Sequence, residues 1–312
     1  QRAACRDLAQ ELRDRHSLNE EYARWARSAE SRFGLVSIDF APEMLGDRNT
    51  FPFEEDAALE HVRSLTLEDR WRDAEEWVEE RKGSFWARYD EQRQGLWLVA
   101  ELATSLYLEA SSLLDSLPEA DEPLPWIEWY IDSSGFSPWR VDQLARELSA
   151  QQINYRQNGN LEEVADAARD KAAELERVAA ERFVDSLASS SDGLGNIESQ
   201  ADLFASNVAP VLEAGRTVGL VLADGLRFEM AKELSDMLEG GGEVELNSAA
   251  AVLPTVTQVG MGALVPGAED GIRLVDGEGK QGKVHPVIAG ESLATLDDRR
   301  DRFRAAYGDR VC

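Results

Sequence analysis

The stretch VGLVLADGLRFEMAKEL, residues 218–234, constrains the fold more than any other. Six small or apolar residues lead into Asp224 and Gly225. A helical pattern begins at once, with Leu226, Met230, Leu234 and Met237 sharing a face. A short apolar run, a tight turn and then a helix is the pattern of a buried strand feeding a crossover helix. We therefore expect a strand over 217–223 and a helix near 226–239, stopped by Gly240, Gly241 and Gly242. A second short strand is expected at EVELN, 243–247, and a helix over ESQADLFASNVAPVLEA that ends at Gly215. Strands alternating with helices predict a parallel sheet covered on both faces, with sites beyond the carboxyl ends of the strands. Asp224 falls at such an end.

The chain before this stretch has a different rhythm. All eight Trp lie between residues 25 and 139, and most of the Gly lies after residue 190. CRDLAQELRDRH, NEEYARWARSAESRF and LEDRWRDAEEWVEERKGSFWARYDEQR space apolar residues three and four apart with charge between them, which predicts helices. GLWLVAELATSLYLEASSLLDSL is apolar all round and is expected to be the buried helix of a bundle. PEADEPLP breaks it at 118–125. PWRVDQLARELSAQQ opens a further helix on Pro138, and NLEEVADAARDKAAELERVAAERFVDSL is a long one. ASSSDGLGN reads as a linker. The chain thus divides into a helical region over 1–187 with an internal break at 118–125, a linker over 188–196, and an α/β region over 197–312. The Trp stripes are read as packing.

With 312 residues the chain is long enough for two domains. Its composition is that of a soluble globular protein, and no apolar run approaches the roughly 20 residues that cross a bilayer. It begins with Gln1 and stops at Cys312 in an Arg-rich stretch, and reads as a fragment with a truncated α/β domain. Cys5 and Cys312 are its only cysteines, which argues against a disulfide framework or structural zinc and for a reducing cytoplasm. The net charge is −27, from 60 acidic and 33 basic residues. Such a surface repels phosphate backbones and disfavours unaided binding of nucleic acid. It is either a solvated acidic surface or a face for a basic partner.

Asp224 has a plain structural reading, because Asp before a helix caps it and Asp-Gly makes a tight turn. In LPTVTQVGMGAL, either Thr255 or Thr257 fits the same role. A carboxylate and a hydroxyl at two neighbouring strand-to-helix junctions would, however, project at one edge of one sheet. There a metal held by Asp224 would make the hydroxyl an alkoxide near neutral pH.

ADGLRFEMAKEL followed by LPTVTQVGMGALVPG resembles the PglZ domain, a branch of the alkaline-phosphatase-like superfamily from BREX and Pgl phage-defence systems of bacteria and archaea. The resemblance is clear over about 200–312 and looser over 137–200. It implies a mainly α N-terminal region followed by the beginning of an α/β alkaline-phosphatase-like domain. Asp224 would be the first metal ligand. Thr257 would be nucleophile and metal ligand, preferred over Thr255 because it matches the pattern of Pro, two residues, then nucleophile. Arg227 either faces a substrate phosphate or forms a surface ion pair. The implied cofactor is a divalent metal, zinc, manganese or magnesium. The implied partners are other subunits of a phage-defence complex and a nucleic acid or nucleotide substrate, with no membrane.

The remaining metal ligands are expected beyond residue 312, so the fragment alone is expected to bind metal weakly and turn over little. His285, beside Pro286 in a strand or turn, is read as a surface or packing residue, and His16 and His61 as structural. Phe228 stands where the family often has Tyr. DDRRDRFRAAYGDR reads as a solvated helix. Two functions follow: a metal-dependent hydrolase of phosphate esters or phosphodiesters, or a non-catalytic scaffold of the defence complex that keeps the phosphatase-like fold.

Overall fold

Apolar residues three and four apart give the first part of the chain its helices. A computed structural model of the chain describes residues 2–37, 41–45, 48–132, 134–155, 161–191, 194, 197–276 and 284–308. Its helices are α1 (Arg2–Asp14), α2 (Asn19–Phe33), α3 (Pro52–Leu67), α4 (Trp71–Arg81), α5 (Phe85–Tyr89), α6 (Glu91–Leu114), α7 (Pro123–Ile131), α8 (Pro138–Tyr155), α9 (Glu162–Ser189), α10 (Ala209–Glu213), α11 (Phe228–Leu238), α12 (Thr257–Gly262) and α13 (Leu296–Tyr307). Its strands are β1 (Arg273–Asp276), β2 (Val284–Ile288) and β3 (Glu291–Ser292). The chain divides into two units, Gln1–Glu119 with Asp132–Val184, and Ala120–Ile131 with Asp185–Cys312.

The first unit is built on α6, which packs against α3, α4, α5 and α8. Trp97, Ala100, Ala103, Leu106, Ala110 and Leu113 bury one side of α6, and Val99 and Leu102 widen the stripe. That width is what an all-round apolar pattern predicts for a central helix. The acidic neighbours are absorbed by pairing. Buried Arg81 donates from Nη2 to Glu55 Oε1 at 2.7 Å and from Nη1 to the Arg48 carbonyl at 2.6 Å. Trp97 Nε1 donates to Glu55 Oε2 at 3.1 Å, so both carboxylate oxygens have donors. A second apolar cluster joins Tyr22, Ala23 and Ala26 of α2 to Phe85 and Trp86 of α5. Trp25 of α2 is exposed, an exception to the reading of Trp as packing, because it faces away from the Tyr22, Ala23 and Ala26 side.

In the second unit, β2 pairs antiparallel with β1 and with β3. Ala289 and Gly290 both have positive φ, 49° and 87°, as a two-residue hairpin turn requires. Val265, Ala268, Ile288 and Leu293 form the core beneath, with Phe303 of α13 packed against it. A capping box starts α13, where Asp298 N donates to Thr295 Oγ1 at 3.1 Å and Thr295 N to Asp298 Oδ2 at 2.8 Å. The ring of Tyr130 on α7 meets Phe228 on α11 edge-on, with centroids 6.1 Å apart. That contact helps explain why 120–131 groups with the second unit rather than with the helices around it in sequence.

The expected parallel sheet is where the structure departs from the sequence reading. Among the described residues the sheet is the antiparallel β1-β2-β3, and neither 217–223 nor 243–247 forms a strand. Leu220 is 42% and Val221 87% exposed. An apolar run states a capacity for burial, but a strand exists only when a neighbour supplies its hydrogen bonds. Among the described residues the one parallel contact is a bridge between Ser199 and Ala250. Outside the described residues lie Asn160 at the head of the expected long helix, 192–193 and 195–196 of the expected linker, 282–283, and 309–312 with Cys312. No described helix is long and apolar enough to cross a membrane.

Candidate functional site

Asp224 and Gly225 form a turn, and Gly225 takes φ 69°, a left-handed value that suits glycine. Two residues on, α11 starts with Arg227 as its N-cap and with no side-chain cap hydrogen bond. Asp224 therefore does not cap this helix. At the second junction α12 starts at Thr257, with Val256 as N-cap and again no side-chain cap. The capping readings of Asp224, Thr255 and Thr257 all fail in the same way. Instead Thr257 Oγ1 donates to Asp224 Oδ2 at 3.2 Å, across 33 positions of sequence. Both residues are exposed. Thr255 is exposed as well and takes no part in this hydrogen bond.

What holds Thr257 there lies beneath it. Val259 and Gly262 of α12 are buried, and α12 packs on β2. A Cβ on Gly262 would stand 2.4 Å from Pro286 Cγ, so only glycine lets the helix lie this close to the strand. The Gln200 side chain bridges the two ends of the intervening loop. It accepts from Val252 N at 3.2 Å and donates to the Gly260 carbonyl at 3.3 Å. The backbone N–H of Gln200 donates to the Ala250 carbonyl at 2.8 Å, which fixes the backbone from which the side chain reaches out. Nothing local in the sequence marks Gln200, because its partners are 50 to 60 positions away.

Arg227 is half exposed, and its Nη2 lies 2.6 Å from Oε1 of fully buried Glu229. The ion pair foreseen for Arg227 thus exists, with a partner in the first turn of its own helix. Glu229 was missed in the sequence, where an acidic residue in a first helical turn is unremarkable. Phe228 packs against Tyr130, in keeping with a ring that needs no hydroxyl. His285 lies in β2, His16 in a single turn before α2, and His61 in α3 with its ring edge-on to Trp77 at 4.8 Å.

For a divalent metal the pair offers one carboxylate and one hydroxyl. No group of three or more His, Cys, Asp or Glu side chains among the described residues is arranged to hold an ion. The two oxygens fit one edge of an oxygen-rich site and do not by themselves make a centre.

Residues 203–304 match the family described as the BREX system PglZ alkaline phosphatase-like domain. A relative from Bacillus cereus (strain H3081.97), the alkaline phosphatase-like protein PglZ, is 36% identical over 75 residues. That alignment covers 23% of this chain and spans 9% of the relative's length. No solved structure matches the chain. The segment that carries the Asp224–Thr257 pair thus lies within the residues that match the PglZ alkaline phosphatase-like domain.

Proposed function

We propose that this chain contributes a threonine-nucleophile site of the alkaline-phosphatase type to a BREX/Pgl phage-defence assembly, and that the site hydrolyses a phosphate ester or phosphodiester. One observation supports the reading above all. Thr257 Oγ1 is hydrogen-bonded to Asp224 Oδ2 although neither residue serves as a helix cap. A cap would explain either residue alone, and caps are what both positions lack.

On this reading Asp224 aims the Thr257 hydroxyl and takes its proton. Oγ1 attacks phosphorus opposite the leaving oxygen, the bond from Thr257 to phosphorus forms, and the ester bond breaks. The proton moves to Asp224 Oδ2, and the departing oxygen is protonated by solvent. Water then attacks phosphorus and releases a proton to solvent, the bond to Thr257 breaks, and Asp224 returns its proton to Oγ1. Arg227, steadied by Glu229, keeps the rest of its guanidinium for a phosphate oxygen. A divalent ion held by Asp224 and Thr257, with further ligands from outside the described residues, would favour the alkoxide and neutralise phosphate charge. The net charge of −27 favours a small ester over a bare polynucleotide.

The test is hydrolysis of a chromogenic phosphomonoester and a phosphodiester with zinc, manganese or magnesium added. Thr257→Ala should abolish turnover, Thr257→Ser should keep a measurable part, and Asp224→Asn should cost about 10²- to 10⁴-fold. Full activity in Thr257→Ala would remove the nucleophile from this reading.

A second reading, a scaffold that keeps the fold and not the chemistry, is favoured by exposed Leu234, Met237 and Leu238 on α11. Exposed apolar clusters of this kind mark contact surfaces. It expects phage protection to survive both Asp224→Ala and Thr257→Ala.

A further inference from the structure

The first unit contains a cavity of about 530 Å³ between the end of α1, the start of α2 and α5. Its wall carries Arg13, His16 and Arg88 against a single carboxylate, Asp14. This reverses the balance of the chain, where acidic residues outnumber basic ones by 60 to 33. We propose that the cavity is a binding site for a phosphate monoester.

Three observations carry the assignment. The first is that neither guanidinium meets a carboxylate among the described residues. Arg13 donates from Nη1 to the Asn49 carbonyl at 3.0 Å and to its side-chain oxygen, and from Nη2 to Gln10 Oε1 at 2.7 Å. All of these acceptors are uncharged. Arg88 donates from Nε to the Ser84 carbonyl at 3.4 Å and pairs with no carboxylate among the described residues. Two guanidiniums with no carboxylate partner among the described residues therefore line one cavity.

The second observation is rigidity. Arg13 is fixed by Asn49 and Gln10, and its guanidinium lies 5.8 Å from the centre of the Tyr22 ring. The backbone of Arg88 is set on α5, whose start is capped by the Ser84 side chain accepting from Ala87 N at 3.2 Å, while its exposed guanidinium stays free to turn toward a ligand. Donors held in place before a ligand arrives lose less freedom on binding. The third is the fit of size and chemistry. Planar guanidinium forks match the oxygens of a doubly charged phosphate. The volume exceeds what phosphate alone would fill and lies within the roughly 300 to 1,000 Å³ of small-molecule sites. Half-buried Tyr89, stacked on Phe85 with centroids 5.2 Å apart, gives an organic group an aromatic wall. All of these residues lie outside 203–304, so the inference does not depend on the chemistry proposed for Thr257.

Calorimetric titration of the chain tests it, with inorganic phosphate, adenosine 5′-monophosphate and uncharged adenosine as probes. At ~0.15 M salt, charges more than about 8 Å away are screened, which leaves the local cations to decide. The monophosphate should bind, phosphate should bind more weakly, and adenosine should not bind. Arg88→Met should weaken monophosphate binding at least tenfold and Arg88→Lys should keep part of it. Arg88 is exposed, and its one hydrogen bond is to a backbone carbonyl, so the fold should survive, as circular dichroism would verify. Failure of both phosphate probes to bind overturns the proposal. So does adenosine binding as tightly as its monophosphate, or Arg88→Met binding as the unaltered chain does.

Discussion

The two units treat their most apolar runs differently. In the first, Trp86, Trp97, Leu106 and Leu148 are fully buried, and even a glutamate and an arginine are taken inside as a pair. In the second, Val221, Leu253 and Met237 are 87%, 73% and 77% exposed, beside a small antiparallel sheet. The helical unit satisfies its backbone locally and needs only neighbouring helices for its side chains. The second unit carries residues of strand character whose backbone partners are not among the described residues. Its candidate site is correspondingly open to solvent.

On this contrast the largest effects belong to the first unit. Trp97→Ala should cost about 3–5 kcal/mol, because it empties the centre of α6 and removes a donor to Glu55. Arg81→Met should cost a similar amount, about 3–5 kcal/mol, since it leaves the Glu55 carboxylate buried without its cation. Adding Glu55→Gln to Arg81→Met should recover part of that loss. Urea unfolding measures all three. A loss below about 1 kcal/mol for Trp97→Ala would mean the helical unit is no better packed than the second.

An intermediate effect is expected where the second unit is packed closely. Gly262→Ala forces a methyl group against Pro286, and overpacking of this kind costs about 1–3 kcal/mol. The same change should move α12 and loosen the hydrogen bond of Thr257 to Asp224, so any turnover should fall with stability. Unchanged stability would show that α12 does not rest on β2 in solution.

The helical part was the more legible in sequence for a physical reason. The expected helix NEEYARWARSAESRF coincides with α2, and Pro138 begins α8, because helices are specified by nearby residues. The expectation that Asp224 and Thr257 project at one edge is legible in the sequence, and the structure joins the two by a hydrogen bond. The strands at 217–223 and 243–247 were read from apolar character, which carries no information about a partner. Gln200 and the grouping of α7 with the second unit depend on contacts made far along the chain, and no local pattern announces them.

The helical unit should also respond to pH through the buried carboxyl of Glu54. Burial pushes the Glu54 carboxyl above its ordinary value of 4.5, against the pull of the Phe51 and Thr50 N–H groups that it accepts from. A carboxyl raised in the folded state contributes its stability fully below 4.5 and loses it as pH rises through the folded value. The thermal midpoint of the first unit should therefore fall from about pH 5 toward pH 8, and Glu54→Gln should flatten that slope. An unchanged slope in the variant would assign the dependence to other carboxylates.

The smallest expected effect bears hardest on the contrast. Val221 is an apolar residue in a run of apolar residues, and by composition alone it belongs in a core. Its exposure of 87% says that Val221→Ser removes almost no buried surface, so unfolding should change by no more than about 0.5 kcal/mol. A buried strand position would lose about 1.5 kcal/mol or more for the same change. That larger figure, measured on this chain, would place 217–223 inside a sheet in solution, with Asp224 at its end. A near-zero change would leave Asp224 and Thr257 on the open edge described here, and would make the exposed run itself the part of this unit with capacity to spare for a partner.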